Sequence, residues 1–179
     1  MKFIRNIVIL GIIVFAVLNI NTFKQAVMPF KHSDYITKYS KMYDLDPVLV
    51  SAVIKTESNF KDDAVSSKNA YGLMQITKET AHWAAAKMGI ADFSTDKLMD
   101  PETNIMIGCW YLDNLKKEFG STELVLAAYN AGRGNVEKWL ADPAYSSDGK
   151  TLTNIPFNET ANYIKKVNVY YKIYKFLYF

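Results

Sequence analysis

Asp46-Pro47-Val48-Leu49-Val50-Ser51-Ala52-Val53-Ile54-Lys55-Thr56-Glu57-Ser58-Asn59-Phe60, followed after a polar loop by Tyr71-Gly72-Leu73-Met74-Gln75-Ile76, is the stretch on which the reading of this chain turns. Asp46 suits a helix N-cap, where its carboxylate can accept from exposed backbone N–H groups, and Pro47 suits the first helical position, where no N–H is needed. Leu49, Val50, Val53 and Ile54 recur at helical spacing, and the next position on that face is Glu57. A carboxylate therefore stands where another Leu or Val is expected. Loss of water disfavours its charged form, and the partial negative charge of the helix C-terminus adds to that. Both raise the pKa, as an acid needs if it is to give up a proton near neutral pH. The plainer reading is that the helix ends one residue earlier and Glu57 turns into solvent; helix geometry alone leaves both open.

The 179 residues suffice for one domain with a real core plus an appendage, and half of them are apolar. The net charge of +3 is unevenly placed. Lys2, Arg5, Lys24 and Lys31 all precede the first acidic residue, Asp34, and the remainder carries 17 basic against 18 acidic residues. No basic patch suits nucleic acid, and the shortage of Arg speaks against phosphate recognition. Cys109 stands alone, which rules out an intramolecular disulfide, and is read as core filling. His32 and His82 are fifty residues apart and offer no metal-ligand spacing, so no metal or cofactor is expected.

Residues 1–20 open with two basic residues and continue as an apolar run from Ile7 to Leu18, the pattern of a segment inserted with its start inside. A spanning helix needs ~20 residues, which Phe3 to Ile20 supplies if Asn6 and Asn19 sit at the interfaces. No small-residue cleavage site follows. The expectation is a single-pass signal anchor over 1–20 with the rest on the extracytoplasmic side, secretion after cleavage being the alternative. Residues 21–32 are read as a tether that, at most ~3.5 Å per residue, keeps the domain within roughly 50 Å of the membrane.

Residues 33–179 read as helices throughout. Ser33 is placed as the cap of the first, Thr77 opens another that Gly89 stops, and Asp100-Pro101 caps a longer one ending at Gly120. Ser121 caps Leu124 to Tyr129, a glycine-interrupted turn spans Asn130 to Asn135, and Asn158 is placed as the cap of the last helix. No long alternating pattern signals a strand, although a short hairpin near 145–156 is allowed. The fold class is all-α: one compact helical domain behind an N-terminal anchor.

Four motifs in order, Glu57-Ser58-Asn59-Phe60, Gly72-Leu73-Met74-Gln75, Ala128-Tyr129-Asn130-Ala131-Gly132 and Ile155-Pro156-Phe157-Asn158-Glu159-Thr160 with Tyr163, resemble the catalytic domain of the soluble-type lytic transglycosylases. A fifth, Asp100-Pro101 with Asn104-Ile105, Gly108 and Tyr111-Leu112, also fits. The resemblance covers roughly residues 33–178 and implies a fold similar to goose-type lysozyme. It departs at Lys61-Asp62, where that family often has Asn-Pro.

The resemblance implies cleavage of the β-1,4 bond between N-acetylmuramic acid and N-acetylglucosamine in peptidoglycan, with 1,6-anhydro ends formed by attack of the muramic C6 hydroxyl. Glu57 would act alone as acid and then base, unlike the paired carboxylates of ordinary glycosidases. Asp62 and Asp63, in a polar loop, are read as solvated charges. The resemblance also implies a substrate-binding set of Ser66, Met74, Gln75, Tyr129, Asn130, Glu159 and Tyr163: Ser66 near the acetamido group, Met74 as an apolar wall, Glu159 lining the groove, Tyr163 closing it. Partners are then peptidoglycan glycan strands and, through the N-terminal helix, the membrane, with the protein a monomer. Two alternatives stay open: a hydrolytic muramidase of the same fold, and a non-catalytic wall-binding component.

Overall fold

The computed structural model describes residues 2–179, without the side chains of residues 2–4, 12, 13, 16–18, 20, 21 and 23. The chain forms two compact units, Met1–Phe30 and Lys31–Phe179. In the first, α1 runs Lys2–Val27. Residues 21–27, read as the start of the tether, are helical. Asn19 does not break the helix because its amide donates back to the Phe15 carbonyl (2.8 Å). Among the described residues no helix is long and apolar enough to cross a membrane; part of the apolar run on which the anchor expectation rests lies outside them.

The second unit is built around α3, Pro47–Glu57. Asp46 caps it as expected, its Oδ1 accepting from Val48 N (2.8 Å). The one-faced helix read from the sequence is in fact enclosed on nearly every side: Val48, Val50, Ala52, Val53 and Ile54 are all buried. A helix apolar all round belongs inside a domain. Its polar members are satisfied locally, Ser51 Oγ donating to Pro47 O (2.7 Å) and Lys55 Nζ to Asn59 Oδ1 (2.5 Å). The last helix, α8 (Asn158–Tyr178), lies along α3 and buries Thr160, Tyr163, Ile164, Val167 and Tyr174 against the core.

Around this pair stand α2 (Ser33–Met42), α4 (Lys78–Met88), α5 (Pro101–Phe119), α6 (Thr122–Ala131) and α7 (Arg133–Ala141), with a 3-10 turn at Thr95–Met99. Thr77, Asp100 and Ser121 cap α4, α5 and α6 through their side chains. Cys109 is buried on the core side of α5, where burial pushes its thiol up and leaves it inert.

The local expectations fail in four places. Ser33 is the first helical residue rather than the cap; His32 precedes it in a left-handed conformation, held by Asp62 (2.9 Å) and by stacking on Tyr35. Asn158 likewise begins α8, after Phe157, whose ring meets Trp139 edge-on. The turn at 130–135 shrinks to Gly132, because φ of +88° there ends one helix and starts the next. The hairpin is not at 145–156, where Asp148 and the Tyr145 carbonyl gather the loop. It is the two-residue pair β1 (Ala70–Tyr71) and β2 (Ile76–Thr77), too short to leave an alternating pattern.

Candidate active site

α3 ends at Glu57, and the chain reverses at once. Asn59 and Phe60 both take left-handed backbone angles, φ +54° and +60°, which cost energy in residues other than glycine. The turn holds because Phe60 is fully buried against Tyr174 of α8. The loop that follows folds over Ser66 and enters β1, and Gly72 to Gln75 return it to β2. Gln75 is itself left-handed, φ +48°.

These segments enclose a cleft of ≈ 360 Å³ lined by Glu57, Ser66, Gln75, Tyr129, Asn130 and Glu159, together with Ser67, Lys68, Ala70 and Thr77. Six of the eight residues expected to form a site are thus brought together. They come from five places in the chain, which only the fold joins.

Glu57 opens onto the cleft by one edge and is otherwise enclosed. Burial pushes its carboxyl up to about 7, against the opposing influence of the Tyr163 hydroxyl and the Lys166 charge. The reading of a raised acid at the end of an apolar helix is thereby given its physical cause. Tyr163 approaches from α8. Its hydroxyl is buried, makes no hydrogen bond of normal geometry among the described residues, and interacts with the Glu57 carboxyl. It is not among the described residues that line the cleft.

Met74 differs from its expectation. Its side chain is fully buried, and a Cβ on Gly108 of α5 would come within 2.2 Å of its sulfur. It presents no apolar wall to the cleft, because the bare Gly108 backbone draws it into the core. What Met74 offers is its carbonyl, which accepts from the Tyr129 hydroxyl (2.7 Å). Tyr129 → Phe leaves that carbonyl without its donor and is expected to cost about 1–2 kcal/mol in urea denaturation. A loss of rate with no loss of stability would show that the hydroxyl serves elsewhere.

The polar side chains around Glu57 are oriented by the protein and keep one function spare. Ser66 Oγ accepts from Ala70 N (3.1 Å) and Lys68 N (3.3 Å), which leaves its O–H to donate. The Gln75 amide nitrogen donates to Ala64 O (3.0 Å) and Gly72 O (2.9 Å), which leaves its oxygen as an acceptor. Asn130 Oδ1 accepts from Thr160 Oγ1 (2.8 Å) and keeps its NH₂. Donors and acceptors that neighbour one raised acid suit a ligand rich in hydroxyls and amides. Asp62 and Asp63 do not line the cleft, so the other carboxyl among its described lining residues is Glu159, paired with Lys68 at 3.1 Å.

Asn104, part of the Asp100-Pro101 motif, has a structural role that its spacing alone does not reveal. Fully buried on α5, it accepts from Met74 N (2.8 Å) and donates to Tyr71 O (2.9 Å) and Leu98 O (2.8 Å). It clamps the Gly72–Gln75 return to α5. An Asn on an apolar helix face is the signal that could have revealed it, since a buried amide must find partners.

The transglycosylase SLT domain matches residues 34–151. The soluble lytic murein transglycosylase of Salmonella typhimurium is 35% identical over 150 residues, covering 82% of this chain and 23% of that protein. The membrane-bound lytic murein transglycosylase C of Pectobacterium atrosepticum is 31% identical over 167 residues, covering 81% and 47%. Among solved structures, the 70 kDa soluble lytic transglycosylase of Escherichia coli superposes with a TM-score of 0.75 at 32% identity, over 85% of this chain and 25% of that one. An inactive Glu-to-Gln mutant of the Pseudomonas aeruginosa enzyme gives 0.73 at 33%, over 84% and 25%. The chain spans about a quarter of the length of the soluble relatives and about half that of the membrane-bound one.

Proposed function

This chain belongs to the transglycosylase SLT domain family, and on that premise we propose that it is a peptidoglycan lytic transglycosylase with Glu57 as its single acid and base. The observation that carries the proposal is the Glu57 carboxyl at the mouth of a polar cleft, its pKa raised by burial to about 7, so that a substantial fraction carries its proton near neutral pH. Protonated, it delivers its proton to the glycosidic oxygen between N-acetylmuramic acid and N-acetylglucosamine. The resulting carboxylate then takes the proton of the muramic C6 hydroxyl as that oxygen closes on the anomeric carbon. One group serves twice because the second step restores what the first consumed.

Among the described residues that line the cleft the other carboxylate is Glu159, 72% exposed in the first turn of α8, where water screens its charge from the anomeric carbon. The substrate's own acetamido oxygen can meet the positive charge that develops at that carbon, a recognised exception to paired-carboxylate catalysis. Ser66 O–H and Asn130 NH₂ are the donors free to hold that acetamido group, and the Gln75 oxygen is free to accept from sugar hydroxyls or amides. Met74 and Tyr163 contribute without lining the cleft, Met74 through the Tyr129 hydrogen bond and Tyr163 through Glu57.

Product analysis of purified cell wall tests the reaction. The expected products carry 1,6-anhydro ends and weigh one water less than hydrolysis products. Reducing ends in their place would make the protein a hydrolase.

Activity should fall as Glu57 ionises, giving a descending limb near pH 7. Because the Tyr163 hydroxyl lowers the Glu57 pKa, Tyr163→Phe is expected to move that limb to higher pH. A limb that stays in place would remove Tyr163 from the site. The N-terminal sequence, basic and then apolar, supports a membrane anchor over residues 1–20 that holds a monomeric domain on the cell-wall side. Alkaline extraction of membranes, with the chain staying in the pellet, is the expected result.

A further inference from the structure

Lys68 and Glu159 face each other over the cleft from positions 91 residues apart, Nζ to Oε1 3.1 Å. The bridge joins the loop before β1 to the first turn of α8. Lys68 is the one cation among the described residues that line the cleft. The turn from which it rises is fixed by its own N–H, which donates to Ser66 Oγ (3.3 Å). Loop and helix are therefore each held by other bonds, and the bridge is not needed to keep them in place.

The bond is also an exchangeable one. The two side chains are 76% and 72% exposed, so water and salt screen it strongly. Glu159 loses little when released, because it stays in the first turn of α8, where the unpaired N–H groups favour a negative charge. A competing carboxylate that arrives with other contacts to the cleft can replace it on Lys68.

The proposed substrate brings such groups, since the lactyl arm of each muramic acid bears a peptide stem with free carboxylates. We propose that Lys68 is a binding subsite for a stem carboxylate, which displaces Glu159 from the ammonium group. The inference rests on the function proposed above. It makes stem-bearing glycan the preferred ligand and Lys68 the residue that sets that preference. Arg in its place would serve, being a cation of similar reach, whereas Gln keeps much of the bulk and loses the charge.

The test uses the full chain carrying Glu57→Gln, so that ligand is bound without turnover. Calorimetry compares soluble glycan fragments of one length in three forms: with stems, with stems removed by an amidase, and with stem carboxylates amidated. Fragments with free carboxylates are expected to bind about fivefold more tightly than either other form. The added change Lys68→Gln should abolish that ratio, and Lys68→Arg should keep it. An unchanged ratio in Lys68→Gln, or no preference in the parent, would overturn the inference. Digestion of the same fragments by the wild-type chain reports anhydro ends separately, so a failure of the proposed reaction is distinguishable from a failure of the subsite.

Discussion

Glu57→Gln is expected to reduce cell-wall cleavage by about 10²–10⁴-fold, the range associated with a positioned general acid, while making the folded protein more stable in mild alkali. The amide matches the carboxyl in shape but cannot deliver a proton. The stability gain follows from burial. The carboxyl titrates near 4.5 when unfolded and near 7 when folded. A group raised in the folded state contributes fully below its unfolded value and loses that contribution as pH rises through its folded value. Below pH 4.5 the wild type therefore bears no penalty; across the window from 4.5 to 7 the penalty grows, and above 7 it reaches about 3 kcal/mol at most. The variant has no such charge to bury. Its melting temperature should exceed that of the wild type by several degrees at about pH 8 and by little at about pH 4. Equal melting temperatures at the higher pH would mean that the wild-type carboxylate is well solvated, and retained cleavage would mean that another acid does the work.

Asn104→Ala is expected to lower stability by about 4 kcal/mol, because it strips partners from three backbone groups at once, two of them in buried bonds and one in a part-buried bond. Met74 N loses its acceptor, and Tyr71 O and Leu98 O lose their donor. A domain with only ~5–15 kcal/mol to spare feels such a loss, which corresponds to a melting temperature lower by about 10 °C. The remaining folded protein should also cleave poorly, since the clamp holds the return that presents Gln75 and receives Tyr129. Gly72→Ala offends the same point from the other side. A Cβ there would lie 2.2 Å from Asn104 Nδ2 and 2.4 Å from the Leu98 carbonyl, at a φ of +70°. Urea denaturation of Asn104→Ala decides the matter: a midpoint close to that of the wild type would show that water replaces the amide and that the clamp is dispensable.

Much of this was legible in the residues alone, and the parts that were share a cause. Asp46-Pro47, Thr77, Asp100-Pro101 and Ser121 announce their helices because a cap satisfies backbone N–H groups within three residues of itself. Glu57 could be singled out because a carboxylate at helical spacing from Val50, Val53 and Ile54 breaks an apolar pattern. The ordered motifs carried the family. Ser33 and Asn158 were misplaced by one residue, since His32 is held from Asp62 and Phe157 by Trp139, and neither partner is local.

The remainder depended on distant packing. α3 reads as one-faced in the sequence, whereas in the fold α8 packs along it, and burial in the closed domain raises the Glu57 pKa. Met74 was assigned to the groove as a flexible apolar residue, yet the missing side chain at Gly108 pulls it inward. Tyr163, expected to close the groove, instead interacts with the acid from α8 without lining the cleft, while Lys68, in a polar loop, meets Glu159. Caps and turns obey forces that act over one or two turns of chain, so their residues suffice to reveal them. Which way a side chain finally faces is decided by the volume and charge of neighbours drawn from far along the chain, and these meet only once the domain has closed.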